Sequence, residues 1–122
     1  MTDKPKTFTF VSRTAPYGSQ RPRLCLDAAL ATAVFEQQVN YLFIDDGVYQ
    51  LLKNQNAEGI RSKTLGNALE TLALYGIENV LVDRSSLAER GLTPADLLRE
   101  VTECNNDEIA KVLQRSDYVF NL

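Results

Sequence analysis

Short apolar runs alternate along this chain with longer stretches in which apolar positions recur at helical spacing. TFTFV at 7–11, NYLFIDDG at 40–47, NVLVD at 79–83, REVTE at 99–103 and DYVFNL at 117–122 carry the β-branched and aromatic residues of strands, bounded by Gly, Asp, Asn and Ser. Between them, residues 23–38 contain no helix breaker and are apolar on most faces. Such a helix is pressed between a sheet and another layer or subunit. SKTLGNALETLALYG, residues 62–76, spaces Leu65, Leu69 and Leu72 by four and three, with Gly76 placed to stop the helix. Residues 85–98 predict a loop with a short helix near Pro94, and NNDEIAKVLQRS at 105–116 a last helix.

Strands that alternate with helices predict a mostly parallel sheet, because parallel neighbours need long crossovers and those crossovers cover both faces. The expected product is one α/β domain over residues 1–122, a three-layer α/β/α arrangement with five strands. A chain of 122 residues that is 44% hydrophobic is long enough for one such core and short for two.

Charge and composition narrow the chemistry. The net charge is -3, and the 13 Lys and Arg are scattered, without the basic stripe of a protein that grips a phosphate backbone. Direct nucleic-acid binding is not expected. The chain has no long apolar run, and MTDKPKTFTF lacks the core of a secretory signal, which predicts a cytoplasmic protein with no membrane span. It contains no histidine, and Cys25 and Cys104 lack metal-site spacing, so neither a metal nor another cofactor is predicted. Any chemistry is left to carboxylates, tyrosine or thiols.

In a parallel sheet, ligands meet the loops at the carboxyl ends of the strands. Arg13, Asp45 with Asp46, and Asp83 with Arg84 all follow strands and form a candidate pocket wall. Adjacent residues of a strand point to opposite faces, so Asp45 and Asp46 read first as a turn with interface hydrogen bonds, then as a cation site or a catalytic pair. TAPYGSQRPR at 14–23 lies where a phosphate loop would lie but holds one glycine and neither nucleotide-binding motif; Arg21 and Arg23 would attract an anion that Asp27 opposes. Cys25, among Leu24, Leu26, Ala28 and Ala29, reads as a small core residue, whereas Cys104 in the polar TECNND stretch reads as an exposed, incidental thiol. Val48, Tyr49, Leu51 and Leu52 cluster before a polar turn and read as an interface anchor, with packing into the chain's own core as the alternative.

TAPYG at 14–18, LDAALATA at 26–33, LFIDDGVYQLL at 42–52, VDRSSLAERGL at 82–92 and the terminal DYVFNL together resemble the TusC/DsrF branch of the DsrE/F/H sulfur-relay family. The resemblance implies a DsrE/F-like fold and membership of a heterohexamer, two copies each of three related chains, the other two being TusD/DsrE-like and TusB/DsrH-like. It implies further that the complex takes persulfide sulfur from an upstream carrier protein and passes it downstream, toward 2-thiolation of the tRNA wobble uridine or, in the Dsr setting, within sulfur oxidation. The family's carrier subunit places its reactive cysteine about eight residues before the glycine of an RG turn. Counting back from Gly91 leads to Asp83, which has no sulfur to accept the transferred atom. The resemblance therefore implies a non-carrier, structural or recruiting subunit with no catalytic residue of its own. An independent sulfurtransferase using Cys25 or Cys104 is the rival expectation, and an anion sensor at the 14–23 loop a second.

Overall fold

The computed structural model describes residues 5–16, 18–52, 68–97 and 100–122. Five strands, β1 (Thr7–Ser12), β2 (Gln38–Phe43), β3 (Asn79–Asp83), β4 (Thr102–Cys104) and β5 (Tyr118–Asn121), form one sheet in the order β4-β3-β2-β1-β5, with every pairing parallel. The chain steps outward from β1 to β4 and then returns past β1 to lay down β5. The crossovers of the outward run and of the return therefore fall on opposite faces of the sheet, since such connections are right-handed.

The alternation along each strand sorts the core in the same way. Phe10, Val39, Tyr41, Phe43, Val80 and Val82 pack with Cys25, Leu26 and Ala29 of helix α1 (Arg21–Val34) and with Leu87 of helix α2 (Arg84–Glu89). The residues between them, Val11, Leu42, Leu81 and Cys104, meet Ile109, Val112 and Leu113 of helix α3 (Asn106–Arg115). This is the expected three-layer domain. The α3 face also holds a polar row: Asn79 Nδ2 donates to Asn40 Oδ1, Asn40 Nδ2 donates to Thr9 Oγ1, and Thr9 Oγ1 meets Ser116 Oγ. The buried Thr9 hydroxyl is thereby satisfied rather than stranded.

Several boundaries differ from the sequence expectation for identifiable reasons. α1 starts two residues earlier, at Arg21, with Pro22 in its first turn, where proline gives up no needed donor. It stops at Val34, because Glu36 takes a left-handed φ of 61°. The segment after β3 is helical at once, since Asp83 caps α2, and Pro94 instead opens a short 3-10 turn, Pro94–Asp96. The fourth strand is Thr102–Cys104 rather than 99–103. Of the helix expected over 62–76, residues 62–67 lie outside the described residues. The remainder runs from a helical turn at 68–70 into a 3-10 segment, Leu72–Tyr75, and ends at Gly76 with φ 91°, as expected of a stop glycine.

Asp45 and Asp46 follow the second strand rather than lying in it. They open a 3-10 segment, Asp45–Leu51, that folds VYQL back under the sheet edge. Val48 and Leu51 are completely buried in the chain's own core, which corrects their expected place on an outer contact surface: the 3-10 turn points both inward toward Tyr41 and Phe43. Tyr49 and Leu52 are half-buried, and Leu52 forms a β-bridge with Leu97. Cys104 is a second correction. β4 carries it under α3 with 4% of its surface exposed, so the thiol expected outside is a core residue.

Candidate functional site

The point where the strand order reverses lies between β1 and β5, and their carboxyl ends carry Arg13 and Asn121. Arg13 Nε donates to Asn121 Oδ1 at 3.0 Å, and its Nη1 stands 3.4 Å from Asp45 Oδ2. Asp45 occupies a left-handed conformation, φ 50°, which short polar side chains tolerate best among residues other than glycine. Unlike the carboxylate, its backbone N–H turns toward the end of β3 and donates to Ser86 Oγ at 2.8 Å. Ser86 Oγ in turn donates to Asp83 Oδ2 at 2.6 Å. A continuous polar chain thus runs along the edge from β5 to β3.

Asp46 turns the other way. Its Oδ1 accepts from Arg90 Nη2 at 2.9 Å and from Arg90 Nε at 3.2 Å. Arg90 is held from three further sides: Nη1 donates to Ser86 O, the guanidinium lies 5.8 Å above the Tyr49 ring, and Glu89 stands 3.7 Å away. The guanidinium plane suits this combination of fork and ring contact better than an ammonium would. The two aspartates therefore diverge, each to its own arginine, and do not form a dyad.

Asp83 ends β3 and is the N-cap of α2; its Oδ2 accepts from the Ser86 N–H at 3.2 Å as well as from the Ser86 hydroxyl. Its Oδ1 is buried with no hydrogen-bond partner among the described residues. Arg84 leaves this group and reaches toward Glu103, 3.9 Å away on the next strand. The structure thus brings Arg13, Asp45, Asp46 and Asp83 to one edge and sends Arg84 to its flank. Ser86, Arg90 and Asn121 complete the edge, and only Ser86 left a trace in the sequence, three residues after a carboxylate that ends a strand. Arg23 is paired with Asp27 at 3.2 Å along α1, so the opposition expected at the 14–23 loop is an i,i+4 ion pair.

Both sulfurs lie near this edge but are closed off. Cys25 is fully buried beneath β1, against Ser12 and Tyr41, and burial pushes its thiol above the ordinary range. Cys104 is the register neighbour of Asp83, with Sγ 3.8 Å from Thr102 O; burial, and then Glu108, push it upward as well. Each is held as the neutral thiol, the unreactive form. Among the described residues, no group of three or more Cys, Asp or Glu is arranged to hold a metal ion, and no helix is long and apolar enough to cross a membrane.

Residues 6–122 match the DsrE/DsrF-like family. The chain belongs to that family. It is 40% identical to the TusC homologue of Vibrio parahaemolyticus over 108 residues, spanning 88% of this chain and 92% of the relative. It is 39% identical to the intracellular sulfur oxidation protein DsrF of Allochromatium vinosum over 118 residues, spanning 93% of this chain and 87% of that one. The same fold recurs in the crystal structure of the ychN protein from E. coli, with a TM-score of 0.80 at 23% identity, over 96% of this chain and 99% of that one. The TusC/DsrF resemblance carried by the sequence motifs is thus upheld across nearly the whole chain.

Proposed function

We propose that this chain is a non-carrier subunit of a sulfur-relay complex, in which it frames and positions a partner's persulfide without carrying sulfur itself. The observation that carries this reading is Asp83. At the position the family resemblance assigns to the carrier cysteine stands a carboxylate fixed as a helix cap by two bonds from Ser86. Persulfide transfer needs a thiolate that attacks the outer sulfur, with the S–S bond breaking and the donor leaving as its own thiolate. A carboxylate at that seat cannot be the acceptor, and the two thiols of this chain are buried and held protonated.

Arg13 and Arg90 would contribute positive charge beside a thiolate supplied in trans, and the polar chain from Asn121 to Asp83 would hold them in place. The role of subunit is supported by β5, an edge strand exposed at all four residues, with no lysine or proline to discourage pairing. Tyr49 and Leu52, both half-buried, would add lesser contacts away from that edge. The assembly would be the 2:2:2 heterohexamer with TusD/DsrE-like and TusB/DsrH-like chains, acting in the cytoplasm toward tRNA wobble-uridine 2-thiolation. The identity to DsrF favours a second setting, sulfur oxidation, for the same role.

Co-expression with the two related chains, native mass of the product and intact mass of each component after loading with a persulfide donor test this reading. The expected result is a mixed hexamer with added sulfur on another chain. A lone protein that gains sulfur on Cys104 or Cys25, lost in the matching serine variant, would make this chain the sulfurtransferase.

A further inference from the structure

At the opposite edge of the sheet, where β2 and β3 begin, two elements end side by side. α1 stops at Val34 and the 3-10 segment stops at Tyr75; a β-carbon on Gly76 would stand 3.9 Å from the Ala33 β-carbon, so the two ends are in contact range. Between them they expose four large apolar side chains, Val34 (73%), Phe35 (74%), Leu74 (82%) and Tyr75 (57%), the most exposed such group in the described chain. Four such side chains at two adjoining element ends are more than the scattered apolar exposure of an ordinary surface.

Among the described residues, the charge around it has one dominant sign. The carboxyl end of a helix carries partial negative charge, and neither element has a basic residue in its last turn to offset it. Glu36 and Glu78, both exposed, follow directly on the two ends. Glu36 does so in a left-handed conformation, φ 61°, that glycine would occupy without strain. Lys6 stands just before β1, with its backbone N–H donating to Gln37 Oε1, so among the described residues the edge is not free of cations but is acidic in balance.

We propose that this face docks a basic segment of another protein, one that presents aromatic or aliphatic side chains flanked by lysine or arginine. The apolar side chains supply the anchor, and the cationic flanks complement Glu36, Glu78 and the two uncompensated helix ends. A second copy of this chain is the wrong occupant, because pairing the face with itself would bring acidic rims and negative helix ends together. Anionic lipid and nucleic acid are repelled for the same reason. The face lies at the edge remote from Asp83, so the inference stands independently of the sulfur-relay reading.

Selection of a random-peptide phage library on the purified chain, followed by titration of a synthetic enriched peptide, tests the proposal. Enriched peptides are expected to be cationic with apolar residues among the charges. The double variant Phe35→Ser/Leu74→Ser should lose roughly tenfold or more in affinity, the scale of an anchor removed. Glu36→Gln/Glu78→Gln should weaken binding and flatten its salt dependence while leaving the unfolding midpoint unchanged. Absence of enrichment, enrichment of neutral or acidic peptides, or binding indifferent to both double variants would overturn the proposal. So would self-association abolished by Phe35→Ser/Leu74→Ser, or tighter binding to phosphatidylserine vesicles than to any selected peptide.

Discussion

Gly47 has no room for a side chain: a β-carbon there would stand 2.0 Å from the Ser12 carbonyl oxygen and 2.8 Å from its carbon. The contact is with backbone at the end of β1, which cannot swing aside as a side chain could. Gly47→Ala is expected to cost more than about 2 kcal/mol in urea unfolding, since either β1 or the Asp45–Leu51 turn must shift. Glu36 is the opposite case, a side chain present where none is favoured. Glu36→Gly should raise stability by roughly 1 kcal/mol in the same measurement, by removing left-handed strain at an exposed site. Neither residue is distinguished by its sequence neighbours. The DDG turn was legible as a turn, but the steric demand on its glycine arises from a carbonyl 35 positions earlier in the chain.

Among the helices, α3 is the one whose limits the sequence states most directly. Asn105 Oδ1 accepts from the Glu108 N–H at 2.9 Å and Glu108 Oε1 accepts from the Asn105 N–H at 3.0 Å, a reciprocal cap readable as N-x-x-E before an apolar-periodic stretch. Asn105→Ala should lower stability by about 1 kcal/mol, and a faster hydrogen exchange confined to the first turn of α3 would locate the loss. α1 has no side-chain cap and relies on packing of Cys25, Leu26 and Ala29 under the sheet. Its apolar surround, read as a sign of burial on several sides, divides into this buried stripe and the exposed Leu24, Val34 and Phe35. Val48 and Leu51 show the same ambiguity: an apolar cluster looks alike in sequence whether it faces a partner or the chain's own core. The 3-10 turn at Asp45 decides the matter for Val48 and Leu51, because it reverses the chain beneath Phe43.

At the scale of the whole molecule, burial of three ionisable groups gives stability a pH dependence. Cys25, Cys104 and Tyr41 are all shifted upward, each chiefly by burial. The native state thus keeps these protons at pH values where the unfolded chain releases them. Their contribution is complete below the unfolded thiol range and is lost as pH rises, so the urea midpoint should hold through neutrality and fall above roughly pH 8.5, as the unfolded thiols ionise first and tyrosine follows. Cys25→Ala should flatten the early part of that fall. In parallel, thiol labelling of the native protein at neutral pH should be slow at both cysteines and become fast on unfolding. Rapid native labelling of Cys104 would show that α3 opens readily and would favour the rival sulfurtransferase reading.

The alternation of short apolar runs with helical periods determined by itself the α/β class, the five strands and the parallel sheet, because strand and crossover lengths leave few other arrangements. The spacing of Asp83 from Gly91, set beside the family motifs, is what led to the proposal that this chain carries no sulfur itself. Only the tertiary structure decided which side chains share an edge. Arg13 reaches Asn121 because β5 returns to lie beside β1, and Arg90 reaches Asp46 because α2 starts at the end of β3. It likewise decided that Cys104 is buried and that Ala33 and Gly76 adjoin, since burial and adjacency depend on which elements pack together, and contacts between residues far apart in sequence leave no local pattern in it.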